Sequence, residues 1–128
     1  IARPGDQFQP WSVFDTNGSL RIGFFDRSYD PNNHMYGYTV ATETSPGVFM
    51  FQEVSTVLSD PTQNDRWFSS GPPPFTGFPH PTRFLGDYSN IAATADGHVV
   101  AYWCDMRNPV DFAGRKGSGE DAYFGTAA

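Results

Sequence analysis

The chain has 128 residues and a formal net charge of −6. Twelve Phe, six Tyr, three Trp, 13 Gly and 11 Pro stand against three Leu, three Ile and one Lys. That balance excludes a helical bundle, because Leu, Lys and Glu carry most helices, whereas aromatics suit strands and Gly and Pro suit turns. The length fits one domain, and no apolar run approaches the ~20 residues that span a bilayer as a helix. Eight dispersed Arg and Lys in an acidic chain do not supply the basic surface that nucleic acid requires.

Ile1-Ala2-Arg3-Pro4 has neither a charged n-region nor an apolar h-region and carries no initiating Met, so a mature product or a fragment is expected. Strands are predicted over about 9–15, 19–26, 35–43 and 49–58. The first pair is joined by Asn17-Gly18, which suits the positive φ of a two-residue hairpin loop. Residues 59–85 hold Gly71-Pro72-Pro73-Pro74 and Phe78-Pro79-His80-Pro81, whose prolines forbid ladder bonding. Either this stretch links two domains or it is an ordered surface loop; Trp67, Phe68, Phe75 and Phe78 favour the loop, being too apolar for a solvated tether. Further strands are predicted over about 87–94, 98–105 and 121–127, with the turn Asp96-Gly97 and a polar loop ahead of the last.

The two halves repeat each other. Leu20, Ile22 and Phe24 lie two, four and six residues past Gly18, as Val99, Ala101 and Trp103 do past Gly97. Eight residues past each glycine stands an Asp, Asp26 and Asp105, followed by Arg27 and Arg107. Residues 1–58 and 86–128 are therefore read as two units joined by 59–85, the second lacking a fourth strand. Trp11 and Trp103 are expected on buried strand faces, and Phe24 and Trp103 on unit faces that a partner must cover. Cys104 can form no internal disulfide and reads as a buried, inert thiol.

Phe84-Leu85-Gly86-Asp87-Tyr88, Ala101-Tyr102-Trp103-Cys104-Asp105-Met106-Arg107 and Glu120-Asp121-Ala122-Tyr123-Phe124-Gly125 resemble the closing blade of the BNR-repeat, sialidase-like β-propeller family. Phe24-Phe25-Asp26-Arg27 with Asp30-Pro31-Asn32-Asn33 resembles the blade before it. The resemblance implies an all-β fold: two antiparallel four-stranded blades of a six-bladed propeller, the second without its outer strand. It implies a secreted protein that acts on or binds glycans. The Asp-box turn is degenerate, with Ser45 where the Asp belongs, and the Arg-Ile-Pro motif and the Tyr–Glu nucleophile pair are absent. A glycoside hydrolase whose other blades lie elsewhere, and a non-catalytic module that self-assembles or packs with a longer chain, are thus the competing expectations. Remaining blades or further copies are the implied partners, about three copies completing one ring, with a glycan as ligand.

Strand parity puts Asp26, Arg27, Asp30, Arg83, Asp87, Asp105 and Arg107 at one end of the sheets, with the long loop. Arg27, Arg83 and Arg107 can grip a sugar carboxylate bidentately. Asp87, leading an inner strand, is the candidate general acid. Asp26, Asp105, Tyr88 and the stacking surface of Trp67 complete the candidate ligand set. The plainer alternatives are that Asp26–Arg27 and Asp105–Arg107 fasten strand ends, that Tyr88 is core, and that Trp67 pins the loop. No organic cofactor is expected. Asp26, Asp30, Asn32 and Asn33 are oxygen donors that Ca²⁺ could use, although they fit no EF-hand, and His34, His80 and His98 lack metal-ligand spacing.

Overall fold

The computed structural model describes residues 1–61, 88–112, 115–118 and 121–128. These form nine strands and, among the described residues, no α-helix: β1 (Gln7–Phe14), β2 (Leu20–Asp26), β3 (Gly37–Ser45), β4 (Val48–Glu53), β5 (Asn90–Ala93), β6 (Val99–Asp105), β7 (Pro109–Phe112), β8 (Arg115–Ser118) and β9 (Asp121–Ala127). They make a four-stranded antiparallel sheet in the order β1-β2-β3-β4, a three-stranded one in the order β5-β6-β9, and the hairpin β7-β8. The predicted strands are all present. The stretch expected to be a polar loop before the last strand contains the β7-β8 hairpin, and the strand expected over 49–58 ends at Glu53.

The two repeat turns are built alike, though not as two-residue loops. Asp15 N–H bonds the Ser19 carbonyl at 3.0 Å and Thr94 N–H bonds the His98 carbonyl at 2.9 Å, enclosing three residues in each case. Gly18 at φ 79° and Gly97 at φ 85° take the left-handed position, while Asn17 and Asp96 keep negative φ. This is a tight turn followed by a left-handed residue, the common three-residue hairpin solution.

The sheets stack face to face. Gly23 makes the close approach possible: a Cβ there would lie 2.4 Å from Ile91 Cγ2 and 2.8 Å from the Tyr38 hydroxyl. Tyr38 of β3 stacks on Trp103 of β6 with centroids 5.3 Å apart and planes 8° from parallel. Phe25, Tyr36, Val40, Ile91, Val99, Ala101 and Ala127 fill the rest of this core. Arg21, itself buried, fastens the far end: its guanidinium bonds Asp15 at 2.7 Å, Thr42 Oγ1 at 2.7 Å and, across the sheets, the Ala128 carbonyl at 2.6 Å.

Direction of stacking matters more than its existence. The first sheet turns Arg21, Gly23 and Phe25 toward the second, which answers with Val99, Ala101 and Trp103. Yet Val99, Ala101 and Trp103 are the repeat equivalents of Leu20, Ile22 and Phe24, which lie on the opposite face of β2. The sheets are therefore packed head to tail, not face to mirror face.

Trp103 is buried as expected, but the cover over it and over Phe24 comes from within the chain, and Trp11 is not buried. Trp103 and Phe24 are each 3% exposed, so both are covered within the chain: Trp103 by Tyr38, and Phe24 beside a depression it lines with Ile1, Pro10 and Ile22. Trp11 is 45% exposed, because it stands on the edge strand β1. The uncovered large side chains of the second sheet are instead Tyr102 and Phe124, 52% and 72% exposed, directly paired on its outer face.

Candidate functional site

Asp26 and Asp105 end β2 and β6 at the same end of the two sheets, and each caps the chain as it leaves the strand. Asp26 Oδ1 accepts the Ser28 N–H and Asp105 Oδ1 the Arg107 N–H, both at 2.9 Å. Both carboxylates are buried, so each needs a cation or several donors. They find different ones.

Asp105 is held by Arg107 two residues on. Arg107 Nε donates to Oδ1 at 2.8 Å and Nη2 to Oδ2 at 2.6 Å, a bidentate pair, and the Trp103 indole N–H adds a third donor at 3.1 Å. Burial alone would push the Asp105 carboxyl up, but these bonds together hold it below its ordinary value. The Arg107 guanidinium also lies 4.1 Å from the Tyr123 ring centroid and donates to Thr56 Oγ1 at 2.9 Å.

Asp26 is paired not with its neighbour Arg27 but with Arg3, whose Nε lies 2.9 Å from Oδ2. Thr39 Oγ1 donates to the same oxygen at 2.9 Å and stands 2.5 Å from the Tyr29 hydroxyl. Arg3 also bonds Ser28 Oγ at 2.7 Å and lies over the Phe51 ring, 4.6 Å from its centroid. Beside this group, burial pushes the Glu53 carboxyl up, with the negative Asp26 adding to it and the Ser55 hydroxyl and Arg3 opposing. Burial likewise raises Tyr29. Arg3, Tyr29 and Glu53 were absent from the candidates drawn from sequence. Arg3 precedes every periodic segment, and Glu53 ends a strand whose partner sets its place, so neither carries a local signal.

Arg27 turns to Asp6, Nη1 to Oδ2 at 3.2 Å, and lies over the Phe8 ring at 5.5 Å; its Nε is buried without a hydrogen-bond partner. It lines, with Gly5, Asp6, Gln7 and Phe8, a wide open cleft of about 610 Å³. Asp30 faces inward on its own loop, accepting the N–H groups of Asn32 and His34 at 2.9 Å and of Met35 at 2.7 Å, which hold its carboxyl low. Asn33 Oδ1 accepts the Asp6 N–H at 2.9 Å. So Asp26, Asp30 and Asn33 each direct oxygens to donors of the protein, and among the described residues no three His, Cys, Asp or Glu gather as a metal site. Tyr88 is 80% exposed rather than core. Arg83, Asp87 and Trp67 lie outside the described residues.

The end carrying Asp26, Arg27, Asp30, Asp105 and Arg107 is also the end where Pro61 leaves the first sheet and Tyr88 enters the second. Its described charged side chains contact one another in separate groups: Arg3 with Asp26, Arg107 with Asp105, Arg27 with Asp6 and His34 with Asp60. Comparison with known proteins gives no match to any family model, to any curated protein or to any solved structure. Among the described residues no helix is long and apolar enough to cross a membrane.

Proposed function

We propose that this chain is a non-catalytic association module, a pair of propeller-type blades that works by packing against further sheets of the same kind. One observation carries the reading. The second sheet's outer face, with Tyr102 and Phe124 exposed among Ala92, Val100, Ala122 and Thr126, bears no charged side chain at those positions. Charge-free apolar surface of this kind marks an interface. What supports the propeller geometry is the head-to-tail stacking: the outer face of the second sheet is the equivalent of the face through which the first sheet already packs. A stack of one sense has no built-in end, so more copies, or the other blades of a longer chain, continue it. The test is a Tyr102→Lys, Phe124→Lys double variant followed by light scattering. Association is expected in the parent and lost in the variant, with the circular dichroism spectrum unchanged.

A second reading, glycan binding in a secreted sialidase-like protein, draws support from the cleft beside Arg27. There the Phe8 ring, the Gln7 amide and the Arg27 guanidinium, the last paired with Asp6, border open space, and a guanidinium suits a sugar carboxylate. Saturation-transfer NMR with a sialylated oligosaccharide tests it: signal for the parent chain and none for Arg27→Ala supports it, and no signal for either removes it. Whether this chain hydrolyses a glycoside is checked with a fluorogenic sialoside, where turnover overturns the non-catalytic reading.

A further inference from the structure

We propose that the outer edge of β9, unpaired among the described residues, is a self-recognition strand, through which two copies pair β9 to β9, antiparallel, about a two-fold axis through Phe124. The proposal rests on the association reading above and adds to its face contact an edge contact with a second copy. β9 is the last strand of its sheet and pairs with β6 over seven consecutive residues without a register shift. Among the described residues no strand pairs with its other side. Sheet edges in natural proteins are normally blunted by proline, basic side chains, bulges or shortness, and β1 and β5 here are. β1 carries Pro10, a register shift between Phe8 and Trp11, and Gln9 at φ 49°. β5 has only four residues. β4 is six residues long with one charge, Glu53, at its end; the register shift near its start places the extra residue in β3. β9 has none of these devices, and its single charge, Asp121, is at its start.

The order of residues in β9 is complementary to its own reverse. With Phe124 on the axis, Tyr123 meets Gly125 of the second copy, Ala122 meets Thr126 and Asp121 meets Ala127. No charge faces a charge, each large side chain but one faces a small one, and the exception is the Phe124 pair, an aromatic cross-strand contact. Parity is kept as well: Phe124, Ala122 and Thr126 stay on the outer face and Tyr123 and Gly125 on the inner. A slip of one residue would bring outer positions against inner ones. Two three-stranded sheets would thus become one of six, a closed isologous dimer. Its outer face would carry Tyr102 and Phe124 of both copies in one row, doubling the apolar surface described above.

Cysteine cross-linking in a Cys104→Ser background reads the register directly. Phe124→Cys should give a disulfide-linked dimer on mild oxidation. Ala122→Cys and Thr126→Cys should not when alone, because identical positions then lie about 13 Å apart along the strands, but should cross-link when the two proteins are mixed. Equal cross-linking by all three, or none by Phe124→Cys, overturns the proposal. Hydrogen exchange of the unmodified chain gives a second readout: β9 amides should gain protection tenfold or more as concentration rises, and unchanged protection counts against the pairing. Association that Tyr102→Lys abolishes but that lacks this register removes β9 pairing alone. A chain that stays monomeric removes the association reading with it.

Discussion

Tyr38 sits at the centre of the contact between the sheets, fully buried against Trp103, and burial pushes its hydroxyl up to about 12. A raised folded-state value means that the neutral form is favoured in the fold. Its contribution is complete below the ordinary value of 10.0 and is lost as pH rises toward 12. Two units correspond to about 3 kcal/mol. The chain should therefore lose stability between these pH values, and Tyr38→Phe should flatten that limb; denaturant melts across the alkaline range check it. Asp105 acts in the other direction. Its carboxyl is held low, so its contribution is present above the ordinary 3.8 and fades as pH falls through the lower folded value. Asp105→Asn should cost about 3 kcal/mol at neutral pH, by removing the charge that pairs with Arg107 and setting an amide NH2 against one of the donors that face Asp105, and should make the acid limb shallower. A thermal melt series in pH distinguishes this from simple destabilisation, which would shift the curve without changing its shape.

At the scale of elements, the turns and the sheet contact each hang on a glycine. Gly97 needs positive φ and has no substitute for it, so Gly97→Ala should cost about 1 kcal/mol. Gly23→Ala meets Ile91 in the stacked sheet instead and should cost about 1–3 kcal/mol. Pairing it with Ile91→Ala should recover part of that loss, whereas the same partner should do nothing for Gly97→Ala; urea denaturation of the parent and the five variants measures the coupling. The glycines, the alternating strands and the Asp eight residues on were legible in the sequence, because turn chemistry and period-2 patterns are local. Burial was legible only in part. Alternation marks one face of β2 as apolar, but Phe24 and Phe25, on opposite faces of β2, are both buried, and no local pattern announces that both faces are covered there. Nor does it announce that Asp26 would take Arg3 rather than Arg27, since that choice depends on where the first residues of the chain return. The Asp105–Arg107 pair, two residues apart on a strand end, was within reach of sequence reasoning because it is local.

On the scale of the whole molecule, the chain is a stack of two sheets facing the same way, with its repeat-equivalent surfaces unequally covered. The N-terminal residues close over part of the first sheet's far face, where Arg3 is fixed between Asp26 and Phe51. The second sheet's far face has Tyr102 and Phe124 open to solvent. That inequality leaves one apolar face for a further sheet to cover. Sedimentation velocity of the unmodified chain over a wide concentration range tests association most directly. Reversible growth from 14.2 kDa to discrete larger species as concentration rises is the predicted result. A single, well-folded 14.2 kDa species at every concentration would contradict it.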